Sequence, residues 1–356
     1  MSDKLKILNL YFATHKTCNM NCRYCYLPEY NRYSTKLSDD EILKSLSNLI
    51  KKFENEEYQI GAFCLHGSEP SLLSATALGE IVLMINGHWN KNEIKDFNVA
   101  IQSNGKRFTE DYLLEVLKVI KKPELLRLGF SIDPPKQVHD FLRDKSYNAV
   151  IENYNTATEM GFPVSVLSVV TKKTLEHLVE FGYWMIEQLK MKEETGNPYK
   201  VKIKFATGDM ALNHEDMIQF SNFLIEENLL SLPQILSPGY CIQSGNDCLW
   251  YEFDVEGNCY SCNKSYNNDG VFADWTMECL KDIVTKRKKL YINYNRNEEC
   301  ESCPYEIICN SGCPLDREKL GVMAGKAHEC SMIKHVLEHV LYDTKEHITE
   351  FYNKNI

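Results

Sequence analysis

Through the first two-thirds of the chain, short β-rich runs alternate with longer amphipathic runs, and that alternation restricts the fold more than any other feature. Residues 7–14, 59–65, 97–102, 126–131, 164–170 and 201–205 have the apolar and β-branched density of buried strands. Residues 38–53, 75–86, 110–120, 147–160, 175–189 and 214–228 read as helices. The first helix has Ser38 as its N-cap and Glu41 three residues on, with Ile42, Leu46, Leu49, Ile50 and Phe53 along one face. Gly161-Phe162-Pro163 stops the fourth. Six β–α units predict an α/β fold with a parallel sheet, open or partly closed as a barrel.

Parallel α/β sheets place ligand sites at the carboxyl ends of their strands. Polar and glycine-rich residues fall at those ends here. Cys18, Cys22 and Cys25 follow the first strand, His66-Gly67-Ser68-Glu69-Pro70 the second and Ser103-Asn104-Gly105 the third. Ser131-Ile132-Asp133 follows the fourth, and Thr171 ends the fifth. One mouth would collect all of these groups. The cysteines are spaced by three and then two residues, and three thiolates suffice for three corners of an iron–sulfur cube. The fourth iron then stays open to a small molecule. A structural zinc site closes with four ligands. A disulfide uses thiols in pairs and is rare in a reducing cytosol.

The 356 residues suffice for one large or two ordinary domains. A net charge of −10 argues against a nucleic-acid surface. The basic run Lys286-Arg287-Lys288-Lys289 reads as a solvated helix end. The first apolar run is short, broken by Asn9 and lacks a cleavage site, so no signal peptide is expected. No stretch approaches the roughly 20 apolar residues of a membrane span. The expectation is a cytoplasmic protein with neither nucleic acid nor membrane as partner. In that compartment fourteen cysteines imply metal or cluster ligation rather than disulfides.

The helical pattern ends near residue 228, and Leu232-Pro233 with Ser237-Pro238-Gly239 reads as a linker. The predicted domains are residues 1–230 and 231–356. The second holds ten of the fourteen cysteines and a last helix near 331–351, with Ile333, Val336, Leu337, Val340 and Leu341 at helical spacing.

With the aromatic Tyr24 ahead of its last cysteine, Cys18-x3-Cys22-x2-Cys25 resembles the signature of the radical S-adenosylmethionine (radical SAM) enzymes. The resemblance implies a partial (β/α)6 TIM-like barrel. It also implies a [4Fe-4S] cluster whose open iron binds the amino and carboxylate groups of S-adenosylmethionine, giving a 5′-deoxyadenosyl radical that abstracts a substrate hydrogen. The stretch His66 to Pro70 resembles the family's Gly-Gly-Glu-Pro motif, in which the backbone and glutamate hold the cofactor's ammonium group. Gly67, Ser68 and Glu69 take that role by resemblance, with Ser68 departing from the second glycine. Carboxylate and carbonyl acceptors suit an ammonium, and glycine lets backbone approach. A turn with a solvated glutamate is the plainer alternative. Gln102-Ser103-Asn104-Gly105 resembles a Gln-Thr-Asn-Gly stretch and adds Asn104. Ser131 and Asp133 match a ribose-binding stretch, and Arg143 matches an arginine that reaches the cofactor carboxylate, a surface arginine being the alternative. Val170 matches a stretch whose backbone lies near the adenine.

Cys300-x2-Cys303-x5-Cys309-x3-Cys313-x16-Cys330, following Cys241-x15-Gly257-x4-Cys262, resembles the SPASM extension of radical SAM enzymes that modify peptides and proteins. The family's last gap is usually one residue longer. By resemblance, Cys241, Cys248, Cys262 and Cys313 hold one auxiliary [4Fe-4S] cluster, and Cys300, Cys303, Cys309 and Cys330 hold another. The expected cofactors are therefore three [4Fe-4S] clusters and S-adenosyl-L-methionine, with two zinc sites as the alternative for the auxiliary set. Cys64, Cys259 and Cys279 are left over. Cys64 reads as a buried small hydrophobe, and Cys259 as a reactive thiol or a neighbour of a cluster.

Sulfatase-maturating enzymes share this architecture and carry an aspartate base after the third cysteine of the first auxiliary site. Here that position is Asn263, which accepts no proton at neutral pH. Cys25-Tyr26-Leu27-Pro28-Glu29-Tyr30 and His66-x-x-Glu69-Pro70 look more like maturases of ribosomally made peptides. The expected function is therefore a peptide maturase joining side chains by two-hydrogen oxidation. Formylglycine formation is the alternative enzyme, and an iron–sulfur electron-transfer or scaffold protein the non-enzyme one. Expected partners are a precursor peptide and a flavodoxin- or ferredoxin-type electron donor. The chain starts at its first strand, so the peptide is expected to be gripped either by the barrel mouth and SPASM-like domain or by a separate peptide-recognition protein.

Overall fold

The computed structural model describes residues 6–25, 27, 37–95, 97–195, 200–227, 229, 250–261, 270–292, 297–306 and 330–340. In chain order the elements are β1 (Lys6–Ala13), α1 (Asp39–Asn55), β2 (Tyr58–His66), α2 (Ala75–Lys91), β3 (Val99–Ser103), α3 (Glu110–Ile120) and β4 (Leu126–Ser131). There follow α4 (Lys136–Leu142), α5 (Tyr147–Glu159), β5 (Val164–Val170), α6 (Lys172–Leu175), α7 (Leu178–Thr195), β6 (Lys200–Phe205) and α8 (His214–Glu226). The rest are β7 (Trp250–Asp254), β8 (Asn258–Tyr260), β9 (Val271–Asp274), α9 (Leu280–Ile292), α10 (Glu298–Glu301) and α11 (Cys330–Val340). Two compact units result. The first comprises Met1–Leu167, Lys192–Lys200 and Leu249–Arg287, and the second Ser168–Met191, Val201–Cys248 and Lys288–Ile356.

In the first unit the strand order is β5-β4-β3-β2-β1-β7-β8-β9, a linear and therefore open arrangement. Neighbours from β5 to β7 are parallel, and β7, β8 and β9 are antiparallel. This is an α/β fold with the parallel sheet of a partial barrel. Alternation along β1 sets its two faces. Leu8, Leu10 and Phe12 are buried on one, while Asn9 and Tyr11 on the other are half-buried. Helix α1 covers the apolar face: Ile42, Leu46, Leu49 and Phe53 are fully buried, and the Phe53 ring lies 6.4 Å from that of Phe253. Ile50, expected on that face, is only half-buried. The capping box forms as expected, with Glu41 N–H donating to Ser38 Oγ (3.3 Å) and Ser38 N–H to Glu41 Oε2 (2.8 Å).

The second unit packs the end of β5, α7, β6, α8 and α11 around Phe181, Met185, Phe220, Leu224, Val336 and Leu337. Its β6 joins the end of β5 through Ala206 N–H to the Val170 carbonyl (3.0 Å). The helix expected at 175–189 is two helices, α6 and α7, because Thr171 closes a capping box of its own with Thr174. Of the last predicted helix, 330–340 is described and 341–351 lies outside the described residues, as does the expected linker. Strand β7 had no sequence expectation, yet it pairs with β1 along its whole length.

Candidate active site

The chain after β1 turns away from the sheet at Thr14 and carries the half-buried Cys18, Cys22 and Cys25. Cys25 N–H donates to the Cys22 carbonyl (3.2 Å), which tightens the turn between the last two. Burial pushes the Cys18 thiol up to about 12, and Glu69, Cys22 and Cys25 push in the same direction. A thiol raised in this way needs a positive centre to be held ionised, which iron supplies. Asn104 Nδ2 approaches Cys18 Sγ at 4.0 Å and donates to Asn19 Oδ1 at 2.7 Å. Amide donors beside cluster sulfurs tune such clusters. Among the described residues, no three His, Cys, Asp or Glu side chains converge on a single metal ion. Three thiolates at the corners of a cube stand further apart than ligands of one ion. The donor set fits a cluster.

Glu69 ties the next two loops together. It is 2% exposed. Oε1 accepts from Ser71 N–H (2.9 Å) and Ser103 Oγ (2.7 Å), and Oε2 from Asn104 N–H (2.9 Å). A carboxylate has about four acceptor positions, so one is left for an outside donor such as an ammonium. Gly67 reaches this turn with φ of +111°, and a Cβ there would stand 3.2 Å from that of Ala13. Ser68 is half-buried beside it. Ser131 Oγ accepts from Gln102 Nε2 and donates to the Ser103 carbonyl, both at 3.0 Å, linking the ends of β3 and β4.

Tyr24, Asp133 and Arg143 meet below the cysteine loop. Tyr24 Oη donates to Asp133 Oδ2 (2.5 Å) and accepts from Arg143 Nη1, and Arg143 lies 3.9 Å from Asp133 Oδ2. Burial pushes the phenol up against the pull of Arg143, and Asp133 reinforces it, so Tyr24 stays protonated. Burial opposes the charge on Arg143, but Tyr24, Cys22 and Asp133 outweigh it. Arg143 is thus buried at 6% exposure, which sets aside the alternative of a surface arginine. Its Nε has no hydrogen-bond partner, a donor left over for an anionic group.

His139, absent from the sequence expectations, holds this trio. It is fully buried, and burial pushes its ring down to about 3, so it is neutral. Asp133 N–H donates to Nδ1 (3.2 Å), which places the ring proton on Nε2, 3.0 Å from Ser146 Oγ. Ser146 Oγ in turn donates to the Arg143 carbonyl (2.7 Å). The backbone of both charged residues therefore hangs on one imidazole.

Val170 belongs to the second unit, where its side chain is fully buried in the apolar core. Cys300, Cys303 and Cys330 are half-buried, with Cys303 N–H donating to the Cys300 carbonyl (3.3 Å). Cys241, Cys248, Cys262, Cys309, Cys313 and Asn263 lie outside the described residues. Cys64 is half-buried rather than buried, because it sits on the polar face of β2 opposite Tyr11. Cys259 is fully buried and its thiol is pushed up by burial, which makes it inert rather than reactive.

Residues 13–182 match the model of the radical SAM superfamily. The cysteine-type anaerobic sulfatase-maturating enzyme of Clostridium novyi is 22% identical over 330 residues, covering 85% of this chain and 86% of that one. Its counterpart from Clostridium perfringens is 24% identical over 332 residues, covering 85% and 87%. Among solved structures, native anSMEcpe with bound AdoMet superposes with a TM-score of 0.74 at 19% identity, covering 94% of this chain and 97% of that one. SuiB of Streptococcus suis bound to precursor peptide SuiA gives 0.62 at 13% identity, covering 92% and 76%. At these identities the structural matches establish a shared fold. Residues 13–182, with their three cysteines and the Glu69 turn, form a radical SAM domain.

Proposed function

We propose that the chain is a peptide-modifying radical SAM enzyme that removes two hydrogens from a ribosomally made precursor peptide and joins two of its side chains. When bound, the cluster and S-adenosylmethionine supply a 5′-deoxyadenosyl radical that abstracts a substrate hydrogen. The chain's own residues do the rest. Cys18, Cys22 and Cys25 would hold the cluster. Glu69, with Gly67 and Ser68, would receive the cofactor's ammonium; Arg143 its carboxylate; Ser131 and Asp133 its ribose; Val170 the adenine; and Tyr24 and Asn104 the surroundings. Relatives that cover nearly the whole chain support a peptide or protein substrate, among them a protein solved with its precursor peptide. The observation that carries the crosslinking reading is Asn263, an amide where a sulfatase maturase has its carboxylate base.

The near-full-length similarity to two sulfatase-maturating enzymes favours a second reading, formylglycine formation. Two peptides separate them. Reduced enzyme and S-adenosylmethionine are incubated with a sulfatase-type Cys-x-Pro-x-Arg peptide and with a short aromatic-rich precursor, and the products are mapped by tandem mass spectrometry. The expected result is loss of two hydrogens from the precursor and no change in the sulfatase peptide. Formylglycine in the latter would overturn the crosslinking reading. On this reading residues 231–356 form the auxiliary-cluster domain, with Cys241, Cys248, Cys262 and Cys313 holding one cluster and Cys300, Cys303, Cys309 and Cys330 the other. A flavodoxin- or ferredoxin-type protein supplies electrons in the cytoplasm.

A further inference from the structure

The face of the sheet turned away from α1 carries a second cluster of titratable groups that none of the roles above uses. In register, Tyr11 on β1 lies between Cys64 on β2 and Glu252 on β7, and Ala13 lies between His66 and Asp254. Residues in register share a face. The short Ala13 side chain leaves room for His66 and Glu252 to approach diagonally across β1, and His66 Nδ1 lies 3.6 Å from Glu252 Oε1. Tyr11 lies edge-on to His66 (5.3 Å) and stacks on Trp250 (4.4 Å).

Glu252 is 0% exposed, and neither of its oxygens has a hydrogen-bond partner. Burying a carboxylate so costs several kcal/mol. Packing alone gives no reason to keep one there. The other ionisable groups nearby are already committed. Asp254 accepts from Glu256 N–H, Asn258 N–H, Asn258 Nδ2 and Tyr260 Oη, with Lys16 at 3.9 Å. Burial pushes Glu252 up, His66 opposes that, and Asp254 adds to it. The histidine is the outer member of the pair: its side chain keeps 12% of its surface exposed, and it immediately precedes the Gly67–Glu69 turn at the mouth of the sheet.

We propose that His66 and Glu252 form the proton-accepting pair for the substrate, His66 taking the proton and Glu252, behind it, orienting the ring and balancing its charge. The inference rests on the proposed function only in that the substrate loses a proton as well as a hydrogen atom. For a crosslink, one C–H bond is lost as a hydrogen atom and the resulting carbon radical forms a C–C bond to an aromatic ring. The ring radical then gives one electron to an acceptor of the iron–sulfur class, and the proton of its second broken C–H bond passes to His66. A buried pair of net charge −1 becomes neutral on accepting the proton, which low dielectric favours.

The test compares wild type with Glu252→Gln, Glu252→Asp and His66→Gln after anaerobic reconstitution. Product and deoxyadenosine are both counted. The expected result is that product per deoxyadenosine falls about 10²-fold or more in E252Q and H66Q, with partial recovery in E252D, while product formation by wild type rises with pH as the pair deprotonates. Wild-type ratios in both amide variants would overturn the proposal. A second readout needs no turnover. Infrared spectra of wild type, unlabelled and with 13C-glutamate, should show on acidification imidazolium bands and a shifted, 13C-sensitive carboxylate band that change together. Independent titrations, or no such band, would overturn the pairing even if a variant fails to fold. A wild-type enzyme that modifies no peptide would sink the proposed function and leave the infrared result to decide the pair.

Discussion

One imidazole and one carboxylate hold the loops of the proposed cofactor site, and each makes a measurable claim. His139 is neutral in the folded chain at a pKa of about 3, against about 6.5 when unfolded. Its contribution is complete above the unfolded value and is lost as pH falls from 6.5 toward 3. The shift corresponds to at most about 5 kcal/mol. Urea midpoints measured across that range should fall steeply for wild type, and His139→Gln should flatten the decline. Glu69 accepts three hydrogen bonds from two loops. Glu69→Gln turns an amide donor toward groups that are donors themselves, and should cost about 2–4 kcal/mol by chemical denaturation. It should also weaken cofactor binding in equilibrium dialysis. The Gly-Ser-Glu-Pro turn was legible in the sequence. His139 was not, because in a segment with no predicted element a histidine looks the same whether it faces solvent or the backbone of a neighbouring turn. Glu252 was hidden for another reason: its partner lies on a strand far away in sequence.

At the scale of elements, strands and helices with strong local signals match their sequence expectations closely. Strands β4 and β5 coincide with the expected runs, and α3 does as well. Helix α4 escaped notice because its seven residues give too few turns for a period to show. Strand β7 escaped because a five-residue run in a cysteine-bearing segment carries no signal of which neighbour it pairs with. Local chemistry is clearest where the backbone is unusual. Gly105, in the turn after β3, has φ of +79°, and a Cβ there would meet the Phe130 ring at 2.6 Å. Gly105→Ala adds left-handed strain to a clash with a buried ring, for a cost of about 2–4 kcal/mol. Because Asn104 sits next to it, the same variant should also lose iron from the radical SAM cluster on dilution, read by the visible absorbance of the reconstituted protein.

For the whole molecule, eleven cysteines in one open and two closed sets predict about twelve irons per chain after anaerobic reconstitution. About four irons with bound zinc would show instead that the C-terminal cysteines hold zinc. Replacing Cys18, Cys22 and Cys25 together should remove about four irons and all deoxyadenosine formation, leaving the remainder bound. The pairing of β1 with β7 has a consequence of a different kind. Tyr11 and Glu252, in register, are about 240 residues apart. During synthesis at about 5–20 residues per second, β1 waits roughly 10 to 50 s for the strand that covers its outer edge. For that interval an apolar strand presents unpaired N–H and C=O groups to every neighbouring nascent chain. A chain cut before residue 250 should accordingly partition to the insoluble fraction in a cell-free translation, and adding a trigger-type chaperone should delay it. A strand made long after β1 is what closes its exposed edge.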